Sequence, residues 1–116
     1  MHKLVILVED SAEAAGFDEY WPDFLRLAEA MPGLVREATS RIDRVLYGRL
    51  NCTLMHELFF ENWDALQKAM ASPQGLQAGQ VLQRMTQGKV ILMLADHKED
   101  QIANLEKYRR GEEKEE

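Results

Sequence analysis

Two short apolar segments constrain the fold of this chain most: residues 3–9, KLVILVE, near its start, and residues 89–96, KVILMLAD, near its end. Each apolar run is too short for a typical helix, and the first is rich in β-branched residues, so we predict a strand for each. Side chains alternate between the two faces of a strand, and here both faces are apolar. Both faces of these two strands therefore need a cover.

Residues 17–31 show the spacing of an amphipathic helix. Apolar side chains recur every three or four positions, while polar residues take the other side. A polar stretch at 11–16 precedes the helix and predicts a turn. Pro22 fits the first helical turn if the helix begins near Asp18 and otherwise predicts a kink. Pro32-Gly33 ends the helix. The apolar positions are Phe17, Tyr20, Trp21, Phe24, Leu27, Ala28 and Met31.

The middle of the chain predicts a hairpin followed by helical segments. Weak alternation from Leu34 to about Tyr47 indicates a polar edge strand, and 48–51 turn the chain into a stronger strand, CTLMHELFF. Asn62 is placed to cap a helix, and Ser72-Pro73 to start another that Gly88 ends. Two short helices thus connect the third strand to the fourth.

This order predicts an α+β domain with a ferredoxin-like βαββαβ arrangement, a four-stranded antiparallel sheet with its helices on one face. The far side of the first and last strands then remains apolar, and a second copy of the same sheet is the simplest cover. We therefore expect a homodimer. The domain is predicted over 1–97. Residues 98–116 are predicted to be a charged C-terminal segment, partly helical through Ile102, Leu105 and Tyr108 and then disordered.

Composition excludes several classes of function. The formal net charge is -6, and no stripe of Lys and Arg offsets it, so nucleic acid is not an expected partner. The apolar runs are too short to cross a bilayer and no signal peptide is visible, which predicts a cytoplasmic protein without a membrane partner. The scattered His2, His56 and His97 make no metal site, and phosphate-binding loops are absent, so no metal or nucleotide cofactor is expected.

Several short motifs, taken together, resemble the EthD family of the dimeric α/β-barrel superfamily. They are MHELFFENWDAL followed by ASPQG, preceded by Phe17, Tyr20, Trp21, Leu27-Ala28 and Pro32-Gly33-Leu34. The resemblance implies a homodimeric barrel with a lumen. Members of the superfamily range from cofactor-free monooxygenases and lactone isomerases to haem enzymes and proteins without a known reaction.

One position departs from that resemblance. The EthD-like helix usually reads His-x-Pro-Leu-Ala before its Pro-Gly, and this chain has FLRLA, with Phe24 in place of the histidine and Arg26 in place of the proline. If that histidine moves protons in the relatives, this protein cannot move them from the same position. We therefore assign no reaction through the family.

Strand alternation suggests two catalytic candidates. Phe60 directly precedes a helix and should turn toward the helices, as should His56, so the odd-numbered Met55, Glu57 and Phe59 should face the barrel interior. Glu57 would then be a carboxyl group in an enclosed apolar space, suited to general acid or base work; alternatively it pairs with Arg36 or Arg41. His56 is expected as a neutral buried histidine with one hydrogen bond, and it replaces Glu57 as the candidate if the alternation is reversed.

The aromatic stripe of Tyr20, Trp21 and Phe24 has two interpretations, as core filler or as the wall of a ligand pocket. The first hypothesis for function is a protein that binds a small apolar or aromatic metabolite in a lumen or helix–sheet pocket. Such a protein either only binds the metabolite or also transforms it. The alternative is a non-catalytic homodimeric interaction module. The residues predicted to line the binding site are Tyr20, Trp21, Phe24, Arg41, Met55, Phe59 and Met93.

Overall fold

The computed structural model describes residues 1–10 and 17–100; the turn predicted at 11–16 and the segment 101–116 lie outside the described residues. In chain order the elements are β1 His2–Glu9, α1 Phe17–Glu29, β2 Leu34–Arg41, β3 Cys52–Phe60, α2 Trp63–Ala71, α3 Pro73–Thr86 and β4 Val90–Asp96. The four antiparallel strands form one sheet in the order β2-β3-β1-β4. The predicted α+β, ferredoxin-like fold is confirmed.

Side-chain caps fix the two helices between β3 and β4, as predicted. The Asn62 side chain accepts a hydrogen bond of 2.8 Å from the backbone N–H of Ala65 at the start of α2. The Ser72 hydroxyl accepts one of 3.0 Å from the N–H of Gly75 and donates one of 2.6 Å to the carbonyl of Ala69. Ser72 therefore closes α2 and opens α3 with a single side chain.

Helix α1 ends where Pro32-Gly33 was expected to end it, and Gly33 has a φ of 81°, in the left-handed region that glycine adopts most readily. Pro22 is the sixth residue of α1. It has no N–H, so the carbonyl of Asp18 receives no helical hydrogen bond from it.

The second strand is shorter than the sequence suggested. We expected β2 to continue to about Tyr47, but it ends at Arg41. The N–H of Ile42 donates to the carbonyl of Thr53 at 2.8 Å. Because β3 begins at Cys52, only two of its residues, Cys52 and Thr53, lie beyond the pair of Arg41 with Leu54, too few to extend β2 to Tyr47. The residues that follow form a loop in which Tyr47 is 99% exposed.

The hydrophobic core lies between the helices and one face of the sheet. The β3 residues Leu54, Leu58 and Phe60 belong to this core together with side chains of all three helices, so the predicted strand alternation is confirmed. We call the opposite side of the sheet the open face. The residues found there include Lys3, Val5, Leu7, Arg36, Met55, Glu57, Phe59, Ile91 and Met93.

The edge strand β4 keeps apolar side chains exposed on both of its sides. Leu92 and Leu94 lie opposite Ile6 and Leu4, on the helix side, and are 53% and 42% exposed. Met93 lies on the open face and is 44% exposed. The helix layer therefore leaves part of this strand uncovered.

Candidate functional site

A cavity of about 320 Å³ lies between the helices and the β1–β4 side of the sheet. We call it the apolar pocket, because every residue that lines it is apolar or glycine. Its volume is at the lower end of the range for small-molecule sites. The sheet and the chain around α1 supply Leu4, Ile6, Leu58, Leu92, Leu94, Phe24 and Met31, and the α2–α3 pair supplies Met70, Gly75, Ala78, Gly79 and Leu82.

Two glycines of α3 border the pocket, and a close contact requires glycine at only one of the two positions. A Cβ atom on Gly75 would lie 2.2 Å from the backbone oxygen of Ala69, so the close approach of α2 requires glycine there. A Cβ atom on Gly79 would meet no described atom within 4 Å. Glycine in a helix interior costs about 1 kcal/mol relative to alanine. Packing among the described residues therefore does not require Gly79, whose missing side chain widens the pocket.

A second, more open cavity of about 390 Å³ adjoins the pocket along the outer side of α3. We call it the outer groove. Gly79, Leu82 and Leu92 line both cavities, which places them side by side. The groove has two polar side chains, those of Gln80 and Gln83. Its other lining residues are Leu76 and Val90.

A group of titratable side chains lies on the helix side of the β2–β3 hairpin. His56 is fully buried, and its Nδ1 lies 2.7 Å from Thr39 Oγ1. Its Nε2 is 3.3 Å from Glu37 Oε2, but neither atom has a hydrogen-bond partner of good geometry among the described residues. Glu29 of α1 interacts with Glu37. We call Glu29, Glu37, Thr39 and His56 the polar cluster.

Partial burial of Glu37 and full burial of His56 shift the pKa values of these two groups in opposite directions. The pKa of Glu37 is raised from 4.5 to about 7, because burial disfavours the carboxylate and because Glu29 adds a hydrogen bond and repulsion between negative charges. Burial lowers the pKa of His56 below 6.5, against the attraction of Glu29 and Glu57. Both shifts are toward the neutral form, as expected for His56.

Phe24 separates the apolar pocket from the polar cluster. Its ring lines the pocket, and its centroid is 6.0 Å from that of His56. Trp21 also contacts His56, edge to face, at 5.3 Å between centroids. A molecule in the pocket thus meets Phe24 before it meets a titratable group of the cluster.

On the open face Glu57 has a different partner from those expected. Its Oε2 lies 2.5 Å from Lys3 Nζ, and both side chains are largely buried. Arg41 cannot reach it because that residue lies on the helix side, opposite Leu54. Arg36 instead stacks on Phe59, with 4.0 Å between the guanidinium carbon and the ring centroid.

The structure divides the residues predicted to form the site between the two faces of the sheet. Tyr20, Trp21, Phe24, Arg41 and His56 lie on the helix side, whereas Met55, Glu57, Phe59 and Met93 lie on the open face. No single pocket brings all of these residues together. Sequence reasoning missed the pocket residues of α3 and β4, although two glycines four positions apart in an amphipathic helix were a visible signal.

Within residues 1–10 and 17–100, no group of three or more His, Cys, Asp and Glu side chains is arranged to hold a metal ion. In the same part of the chain, no helix is long and apolar enough to cross a membrane.

Solved structures connect this fold and sequence to known proteins. An ethyl tert-butyl ether D (EthD) family protein from Bacillus halodurans is 27% identical, with a TM-score of 0.75 over 84% of this chain and 99% of that one. The chain is EthD-like. The resemblance expected from the sequence motifs is thereby confirmed. No protein-family model matches the sequence, and no curated protein matches it.

More distant structures share the fold of this EthD-like chain. A dimeric ferredoxin-like protein of unknown function from Jannaschia sp. is 15% identical, with a TM-score of 0.62 over 83% of this chain and 98% of that one. SnoaB, a cofactor-independent oxygenase from Streptomyces nogalater, is also 15% identical, with a TM-score of 0.59 over 87% and 94% of the two chains.

Proposed function

We propose that this EthD-like protein binds a small, uncharged, apolar molecule in the apolar pocket. The observation that carries the proposal is a cavity of about 320 Å³ whose lining, among the described residues, consists of apolar residues and glycine. Removing an apolar molecule from water into such a site is favourable, whereas an ion there would lose its hydration without gaining a partner.

The same lining favours binding over catalysis. Acid–base catalysis needs a proton donor or acceptor within hydrogen-bond reach of the reacting atom. The residues of the pocket offer none, and Phe24 stands between the pocket and His56.

The protein acts as a homodimer in this proposal, with the open faces of two sheets in contact. Leu7, Met55 and Met93 present apolar surface there, and Met93 is 44% exposed in the single chain. Exposed apolar surface on a soluble domain is typical of an interface. The Jannaschia protein and other structures of this fold are described as dimeric, which supports the same assembly.

A second candidate function is a non-catalytic interaction module. The apolar side chains exposed on both sides of β4, chiefly Leu92, Met93 and Leu94, favour it. In that case a protein partner covers the edge of the pocket and no small molecule enters it.

Titration with N-phenyl-1-naphthylamine, a neutral dye that fluoresces in apolar surroundings, tests the proposal. Wild-type protein should bind the dye at one site per chain. Gly79→Leu places a side chain at the mouth of the pocket and should weaken binding by at least about tenfold. Gly79→Ala is the matched control and should retain binding. Equal affinity of all three proteins, or no saturable binding by the wild type, would contradict the proposed function.

A further inference from the structure

We infer that the ligand of the apolar pocket is a neutral amphiphile, with an apolar body in the pocket and a carbonyl or hydroxyl head group in the outer groove beside Gln80 and Gln83. This inference rests on the proposed function and names the chemical class of its ligand.

The two cavities adjoin each other, and in this inference one molecule extends across both. Gly79, Leu82 and Leu92 line both of them, so a molecule that leaves the pocket over these residues enters the groove directly. The absence of a side chain at Gly79, where a Cβ atom would meet nothing within 4 Å, leaves the passage open. A ligand longer than the pocket is therefore expected to extend into the groove.

Among the described residues, the polar side chains that line the combined space are two carboxamides. Gln80 and Gln83 are three residues apart on α3, so they share one side of the helix. Each amide offers both donors and an acceptor, and both side chains are exposed at the groove. A carbonyl oxygen or a hydroxyl group beside them can form hydrogen bonds without carrying charge.

The lining of both cavities disfavours a charged head group. Although 29% of the residues in this chain are charged, none of the charged residues within 1–10 and 17–100 lines the pocket or the groove. A carboxylate or an ammonium group would lose hydration there without an ionic partner. The formal net charge of -6 adds a general repulsion of anions.

Calorimetric titration with three matched naphthalenes tests this assignment. 2-Acetylnaphthalene carries a neutral acceptor, 2-ethylnaphthalene carries none, and 2-naphthoate carries a negative charge. Wild-type protein should bind the acetyl compound about fivefold more tightly than the ethyl compound, which is the effect of one neutral hydrogen bond. The naphthoate should bind most weakly of the three.

Substitutions on α3 locate the head group. The double variant Gln80→Leu with Gln83→Leu should bind the acetyl and ethyl compounds with equal affinity, because both amides are gone. Gln77→Leu is the matched control, since Gln77 lies on α3 but lines neither cavity, and it should keep the wild-type preference.

The outcomes separate this inference from the proposed function. Equal wild-type affinity for the two neutral compounds, a preference that survives the double variant, or tightest binding of the naphthoate would overturn the head-group assignment. Saturable binding of any neutral compound would still support the pocket. Failure of all three to bind would overturn the proposed function itself.

Discussion

The ring of Phe24 lies edge to face with the ring of His56, with 6.0 Å between their centroids. The EthD resemblance places a histidine at position 24, whereas in this chain the nearby imidazole comes from β3 and lies behind the phenyl ring. Phe24 thus gives the apolar pocket an apolar wall at the position where the EthD-like motif has a titratable histidine. The proposed function, binding without catalysis, depends on this separation of the pocket from His56.

The bond between Thr39 and His56 predicts a contrast between two threonines. Thr39→Val leaves the buried Nδ1 of His56 without its partner at 2.7 Å, and the free energy of unfolding should fall by about 1–3 kcal/mol. The hydroxyl of Thr53 is buried without a partner among the described residues. Thr53→Val should therefore be neutral or stabilising. Urea denaturation measures both, and equal losses would contradict the role assigned to the Thr39 bond.

The carboxyl group of Glu37 predicts a pH dependence of stability. Its folded-state pKa of about 7 exceeds the ordinary value of 4.5, so between these values the folded protein holds more protons than the unfolded chain. The contribution of Glu37 to stability should therefore fall as the pH rises through this window. His56 has the opposite effect, because its pKa is lowered and the unfolded chain binds its proton more readily below pH 6.5.

Glu37→Gln isolates these two effects. The variant should lose less stability than the wild type on going from about pH 5 to about pH 8, because only the His56 contribution remains. Denaturation midpoints across that range provide the measurement. Glu29→Gln serves as a second test, since removal of its negative charge should move the pKa of Glu37 toward 4.5 in an NMR titration. Parallel pH profiles of stability for the wild type and Glu37→Gln would contradict the raised pKa of Glu37.

The two glycines of α3 should respond oppositely to alanine. In Gly75→Ala the new methyl group meets the Ala69 carbonyl oxygen at 2.2 Å, and the shift of α2 against α3 should cost about 1–3 kcal/mol. Gly79→Ala meets nothing and should gain about 0.5–1 kcal/mol from helix propensity. Thermal or urea unfolding of the pair gives the sign of each change. Stabilisation by Gly75→Ala would show that the helices are not as close as described.

The ion pair of Glu57 with Lys3 should matter for stability and not for ligand binding. Glu57→Gln removes the partner of a lysine side chain that is 17% exposed, and unfolding should become easier by about 1–3 kcal/mol. Dye affinity should not change, because Glu57 lies on the open face, across the sheet from the pocket. A folded Glu57→Gln variant that no longer binds the dye would move the site to the open face.

The proposed dimer predicts that the open face does not tolerate an added, unpaired charge at its apolar positions. Met93→Glu places a carboxylate on that face and should give a folded monomer, because Met93 is already 44% exposed in the single chain. Leu76→Glu is the control, since Leu76 is 59% exposed on α3, and it should remain dimeric. Light scattering after gel filtration distinguishes the two. A dimeric Met93→Glu variant would place the interface elsewhere.

Local patterns were sufficient to predict the order of the elements and their orientation in the sheet. The period-two pattern of CTLMHELFF, with Phe60 next to a helix, correctly assigned His56 to the helix side. The capping residues Asn62 and Ser72 act through neighbours three positions away, and such short-range chemistry can be recognised in a sequence.

Features that depend on register or on gaps between elements could not be predicted. Lys3 and Glu57 are 54 positions apart and meet only because β1 and β3 pair in one register. The end of β2 at Arg41 depends on where β3 begins. The pocket is a space between α3 and β4, and the sequence shows only its glycines, not their separation from Leu92.

A crystal structure with 2-acetyl-6-bromonaphthalene bound tests the central claim most directly, because anomalous scattering locates the bromine atom. The account predicts one bromine per chain in the apolar pocket near Leu4 and Leu92, with the acetyl group toward Gln80 and Gln83. A bromine peak between the open faces of two sheets, beside Met55 and Met93, would contradict it. So would a structure in which a protein partner fills the pocket and no ligand is bound.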